Sequence, residues 1–185
     1  MKQQGVAAVE FAVVVLIFLM LFFGIVELAR AMYIVNTLQE VTRRAAALAV
    51  NTDFSDATAM ANLRQRAVLR NSPGLLVFAD PVSDQHVKID YLHIPLNATV
   101  PLSIATLPAT PQENRVNCAT NPNAENCIRL VRARICLPDS DSGTCEPVPY
   151  KTLVSLVPFS FALSRATTVA TVETLGIPPG IPCNC

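Results

Sequence analysis

The chain has 185 residues, enough for one domain beyond a membrane segment, and its charge is balanced, 14 Lys and Arg against 14 Asp and Glu. That balance removes the electrostatic argument for nucleic acid as a partner. All fourteen prolines lie at or after Pro73 and all six cysteines at or after Cys118, so a proline-free front precedes a loop-rich back.

Residues Val6 to Val26 form an apolar run of 21 residues with a single charge, Glu10. Fifteen of them are Leu, Ile, Phe or Val, which together favour insertion by roughly 7 kcal/mol. One carboxylate costs about 3 kcal/mol at the bilayer centre and less near an end. Insertion wins, and the run is long enough to cross the hydrocarbon core. Lys2 and the amino terminus favour an N-in orientation, while Arg30, Arg43 and Arg44 beyond the run oppose it. An even number of cysteines among turn-forming neighbours implies disulfides and an oxidising compartment, which decides for N-in.

From Glu27 the pattern becomes amphipathic without a breaker. Ala31, Ile34, Val35, Leu38, Val41, Ala45, Leu48 and Ala49 recur at spacings of three and four, a helical stripe. One continuous helix is predicted from about Val6 to about Val50, with an outer half whose stripe needs a partner. Either the chain's own domain or neighbouring helices would serve.

Lys2, Gly5, Val6 and Glu10, ahead of a long apolar helix, resemble the processing signal of type IV prepilins. With VAAVEFAVVV from Val6, GIVELAR at Gly24 to Arg30 and TRRAAALAV at Thr42 to Val50, the first fifty residues look most like TadE-type pseudopilins (minor pilins) of the tight-adherence (Tad) pilus system. VPY at Val148 to Tyr150 and ETLG at Glu173 to Gly176 are compatible with that family. Many TadE-like helices carry a proline within the apolar run, and this one has none. The resemblance implies a leader of residues 1–5, removed after Gly5 by prepilin peptidase to leave Val6 first and Glu10 fifth. It also implies other pilin and pseudopilin subunits, the inner-membrane pilus assembly machinery and membrane lipid as partners. The protein would sit in the bacterial inner membrane with a periplasmic C-terminal domain, then in a cell-surface pilus used in adhesion.

The chemistry of Glu10 agrees with this. Cutting after Gly5 creates an amine at Val6, and in a bundle of such helices Glu10 of one subunit pairs with the amine of the next. A buried charge left alone costs several kcal/mol, so the pair sets axial register. In the other reading Glu10 lies near the headgroups with its carboxylate reaching water. A secretory signal peptide would have a shorter core; Ala29-Arg30-Ala31 faintly resembles its cut site, but the helical pattern runs through. An unprocessed anchor accounts for the length of the run but not for Gly5 with Glu10.

Beyond the long helix, Asp56 or Ser55 caps a predicted second helix over Ala57 to Asn71, whose Arg64, Arg66 and Arg70 suit its C-terminal end or form a solvated face. Alternation then predicts strands at Val87 to Ile94 and Ile128 to Cys136, the latter with a bulge near Leu130-Val131. Further candidate strands are Tyr150 to Leu156 and Ser164 to Val172. Pro95, Pro101, Pro108, Pro111 and Pro122 exclude regular sheet between the first two, leaving a long loop from Pro95 to Cys127. The fold class is therefore α+β, pilin-like: a long transmembrane and assembly helix (6–50), then an extracytoplasmic domain (51–185). That domain combines a short helix with a small antiparallel sheet of about four strands and a disulfide-bonded C-terminal part.

Cys118, Cys127, Cys136, Cys145, Cys183 and Cys185 contain no C-x-x-C, and His86 and His93 lie apart from them, so disulfides are expected and no metal. PDSDSG favours a Cys136–Cys145 bridge closing a turn. Cys183 and Cys185, too close to pair with each other, would tie the tail to Cys118 and Cys127. Asp139 to Gly143 reads as a plain turn and not a calcium loop. No catalytic motif or nucleotide-binding glycine loop is present, so no cofactor and no enzymatic activity is expected. A pilus-tip adhesin or binding module, with the Pro95 to Cys127 loop as its contact region, is the alternative within the same architecture. A membrane-anchored periplasmic domain is the other.

Overall fold

The computed structural model describes residues 4–140, 144–154 and 161–177. Helix α1 (Gln4–Ala49) runs unbroken for 46 residues, about 69 Å at 1.5 Å per residue. Its halves meet different surroundings. The apolar window near the N-terminus has a mean hydropathy of 2.9 and none of it is buried. Farther along, Ile34, Leu38, Val41, Ala45 and Ala49 are buried, and the helix lies across the two strands Leu130–Ile135 and Thr167–Thr171. The partner of the predicted stripe is the chain's own domain.

Helix α2 (Ala57–Ala67) starts where expected, because the Asp56 carboxylate accepts from the N–H groups of Thr58 (2.8 Å) and Ala59 (3.0 Å). It stops short of Asn71. Leu69 adopts a left-handed backbone with φ of 62°, and the Arg70 N–H turns back to the Gln65 carbonyl at 2.9 Å. Met60, Leu63 and Ala67 are its buried residues.

Strands β1 (Val87–His93), β2 (Leu102–Ser103), β3 (Leu130–Ile135) and β4 (Thr167–Thr171) form one antiparallel sheet in the order β2-β1-β3-β4. Alternation in β3 buries Val131, Ala133 and Ile135, and residues two apart share a sheet face. Arg132 and Arg134 lie on the opposite face, where both reach Asp90 Oδ2, at 3.0 and 2.7 Å. The expected bulge is absent. Pairing is continuous from Val87↔Ile135 to Leu92↔Leu130, and the phase slip seen in the sequence arises because Ile128 precedes the strand.

Two expectations need correcting. The stretch from Pro95 to Cys127 is not one long loop: it contains β2 and helix α3 (Pro111–Thr120). Pro111 excludes a strand but suits the first helical turn, where its missing N–H would be unpaired anyway. The Thr110 hydroxyl accepts from the Glu113 N–H at 3.2 Å, and Glu113 Oε2 accepts from the Ala109 N–H at 2.8 Å. Residues 150–154 are not a strand, because the backbone of Lys151 and Leu153 is turned towards side chains of α1; Leu156 lies outside the described residues.

The cysteines are also partly reassigned. Cys136 joins Cys145 with Cα atoms 5.0 Å apart, and Cys118 joins Cys127 with Cα atoms 4.8 Å apart. The second bond displaces the expected tie of Cys118 and Cys127 to the tail, because a turn after α3 brings those two cysteines together; Cys183 and Cys185 lie outside the described residues. On loop-closure entropy each short bridge contributes about 3 kcal/mol. Residues 141–143 of the predicted Asp139 to Gly143 turn also fall outside.

Candidate functional site

Gly5 and Val6 lie in the first turns of α1. Glu10, one turn on, is exposed on the surface of the apolar half, with no ion-pair partner among the described residues. Every described neighbour of Glu10 along the span is apolar, so among the described residues nothing offsets the cost of placing its charge in lipid.

About 25 Å farther along the helix, a second acid is treated differently. Glu27 and Arg30 are buried, at 1% and 9% exposure. They continue the spacing of Ile34, Leu38 and Val41 and so lie on the face turned to the domain. The Arg30 guanidinium donates through Nη1 to Glu27 Oε1 (3.2 Å), the Lys151 carbonyl (2.7 Å) and the Tyr150 hydroxyl (3.2 Å). Its Nε donates to the Phe78 carbonyl at 2.9 Å and its Nη2 to the Asp80 carbonyl at 3.4 Å. Tyr150 in turn donates to Glu27 Oε1 at 2.5 Å, and the Leu153 N–H reaches the same carboxylate at 3.2 Å.

Aromatic rings complete the cluster. The guanidinium carbon lies 5.2 Å from the centre of the Tyr150 ring, which stacks on Phe161 at 4.5 Å. Burial and donation to the Glu27 carboxylate push the Tyr150 hydroxyl above its ordinary pKa, so it remains a donor. Removing two charges from water costs several kcal/mol per ion and is offset only when the remaining donors and acceptors are satisfied. Here the guanidinium fork is spread over a carboxylate, a hydroxyl and three backbone carbonyls. That geometry fixes the rotation and height of two loops, at 75–81 and 150–154, on the helix.

At the other end of the buried half, α1 is tied to the chain that follows β4. The Leu175 N–H donates to the Val50 carbonyl at 3.0 Å. Asn51 exchanges side-chain hydrogen bonds with Glu173 (3.0 Å) and Thr174 (2.9 Å). Gly176, at φ of +83°, passes so close that a Cβ would lie 2.6 Å from the Asp53 nitrogen. GIVELAR thus meets VPY at one end, and TRRAAALAV meets ETLG at the other.

The sequence reading singled out Gly5, Val6 and Glu10 but missed Glu27, Arg30 and Tyr150 as a unit. One signal was available: two opposite charges, three apart, in phase with the buried stripe. Among the described residues no group of three or more His, Cys, Asp or Glu side chains forms a metal site.

No curated protein and no solved structure matches the chain. Residues 5–47 match the family model described as TadE-like protein, so the segment that forms the apolar span, carries Glu10 and ends in the domain-packed stripe is TadE-like, consistent with a pilin of the Tad system.

Proposed function

We propose that this protein is a minor pilin or pseudopilin of a Tad-type (type IVc) pilus, cut after Gly5 by prepilin peptidase. It is held N-in in the bacterial inner membrane with its domain in the periplasm, and enters the pilus through α1. Its role is structural: helices pack along the span, and Glu10 of one subunit meets the new Val6 amine of another. The observation that carries this reading is a lone carboxylate, exposed and without an ion-pair partner among the described residues, on an otherwise apolar span five residues after Gly5. A rigid domain is clamped to the same helix, so a subunit drawn from the membrane by its span carries the domain with it.

Glu10→Ala tests it. The variant is expected to insert and fold as the native chain does, yet to be lost from the sheared pilus fraction. Normal incorporation would remove the register role.

A second role, as a partner-docking tip, is supported by the distal end of the domain. Leu96, Val100 and Leu102 are exposed there, beyond the Tyr91 end of β1 that packs near Ala49 and Val50.

A further inference from the structure

The apolar run ends at Val26, and its 21 residues cover about 30 Å, the thickness of the hydrocarbon core. Glu27 therefore lies at the boundary, and Arg30 about 4.5 Å beyond it by helix rise. Side chains on a helix lean towards its N-terminus, which carries the Arg30 guanidinium back towards the membrane. The two loops that this cluster grips are thereby held at the level of the lipid headgroups.

Apart from the Asp80–Lys151 ion pair, their exposed residues are apolar. Leu76, Ala79 and Val82 anchor the first loop in the core, while Val77 is 50% and Phe78 75% exposed. Phe78 adopts a left-handed backbone with φ of 57°, a costly conformation for an aromatic residue that persists only where its surroundings enforce it. Here Arg30 holds its carbonyl. In the second loop Leu153 is 64% exposed, next to Lys151, whose ammonium pairs with the Asp80 carboxylate of the first loop at 2.7 Å, both side chains being partly open.

We propose that Phe78, Val77 and Leu153 insert into the outer face of the bilayer around the exit of α1, with Lys151 at the headgroups. The domain is then seated on the membrane at three points rather than swinging on one helix. A lipid surface is the occupant because both loops are gripped by Glu27 and Arg30, where the span ends, which sets their exposed apolar side chains and the Asp80–Lys151 pair at interface depth. This rests only on α1 crossing the membrane, not on cleavage or pilus entry.

The chain contains no tryptophan, so single reporters read depth directly. Phe78→Trp, Leu16→Trp (mid-span) and Leu96→Trp (distal) would each be made in the full chain. They would be reconstituted in phosphatidylcholine–phosphatidylglycerol vesicles whose acyl chains are brominated near the headgroup or near the tail end. Phe78→Trp is expected to emit at shorter wavelength than Leu96→Trp and to lose most of its emission to shallow bromine. Leu16→Trp should be quenched by deep bromine, and Leu96→Trp by neither. If Leu16→Trp is quenched and Phe78→Trp is not, seating on the lipid is wrong although the span stands. A Phe78→Trp shift that follows protein-to-lipid ratio without bromine quenching assigns the patch to a second copy and also overturns the proposal. If Leu16→Trp escapes quenching, the span itself fails.

Discussion

Arg30 sits where three parts of the chain converge, and its removal should cost more than any surface arginine. Arg30→Met would leave Glu27 buried without its counter-charge and orphan the Phe78 and Lys151 carbonyls. A loss of about 3–5 kcal/mol is expected. Tyr150→Phe keeps the ring against Phe161 and removes only the hydroxyl, so about 1–3 kcal/mol should go. By contrast Arg44, paired with Glu40 at 2.9 Å with both side chains about half exposed, should matter by well under about 1 kcal/mol. Guanidinium unfolding of the full chain in detergent micelles, followed by near-UV circular dichroism, ranks the three. Equal effects at Arg30 and Arg44 would contradict the clamp.

Among the elements, the connection from β4 back to α1 is the most constrained. Gly176→Ala meets both a left-handed backbone and the Asp53 nitrogen at 2.6 Å, a contact with backbone that no rotamer relieves. It should destabilise the chain by about 1–3 kcal/mol in the same assay; an unchanged midpoint would mean that the tail is not docked on α1.

The second half of the long helix and β3 were legible because each buries one face, which stamps a period of 3.6 or 2 on the sequence, whereas the first half showed as an uninterrupted apolar run and β4 through its Thr and Val content. Helix α3 was hidden by reading Pro111 only as a strand breaker, although Thr110, Pro111 and Glu113 spell a helix start. Tyr150 to Leu156 was a candidate strand because local sequence says nothing of a carboxylate 123 residues away that claims the Tyr150 hydroxyl. The Cys118–Cys127 bridge depends on that same missed helix, so spacing alone could not select it.

At the scale of the whole molecule, two lengths of one rod do different work. The first is apolar apart from Glu10, and none of its apolar window is buried among the described residues; the second packs on the chain's own sheet. A simple anchor needs the first and has no use for a lone acid within it, whereas an assembling subunit needs both, with the acid meeting a partner only after a new amine exists. Mass analysis of the N-terminus of the protein purified from cells with active prepilin peptidase therefore tests the central claim most directly. The expected mature chain begins at Val6; a chain that still carries Met1 through Gly5 would contradict it.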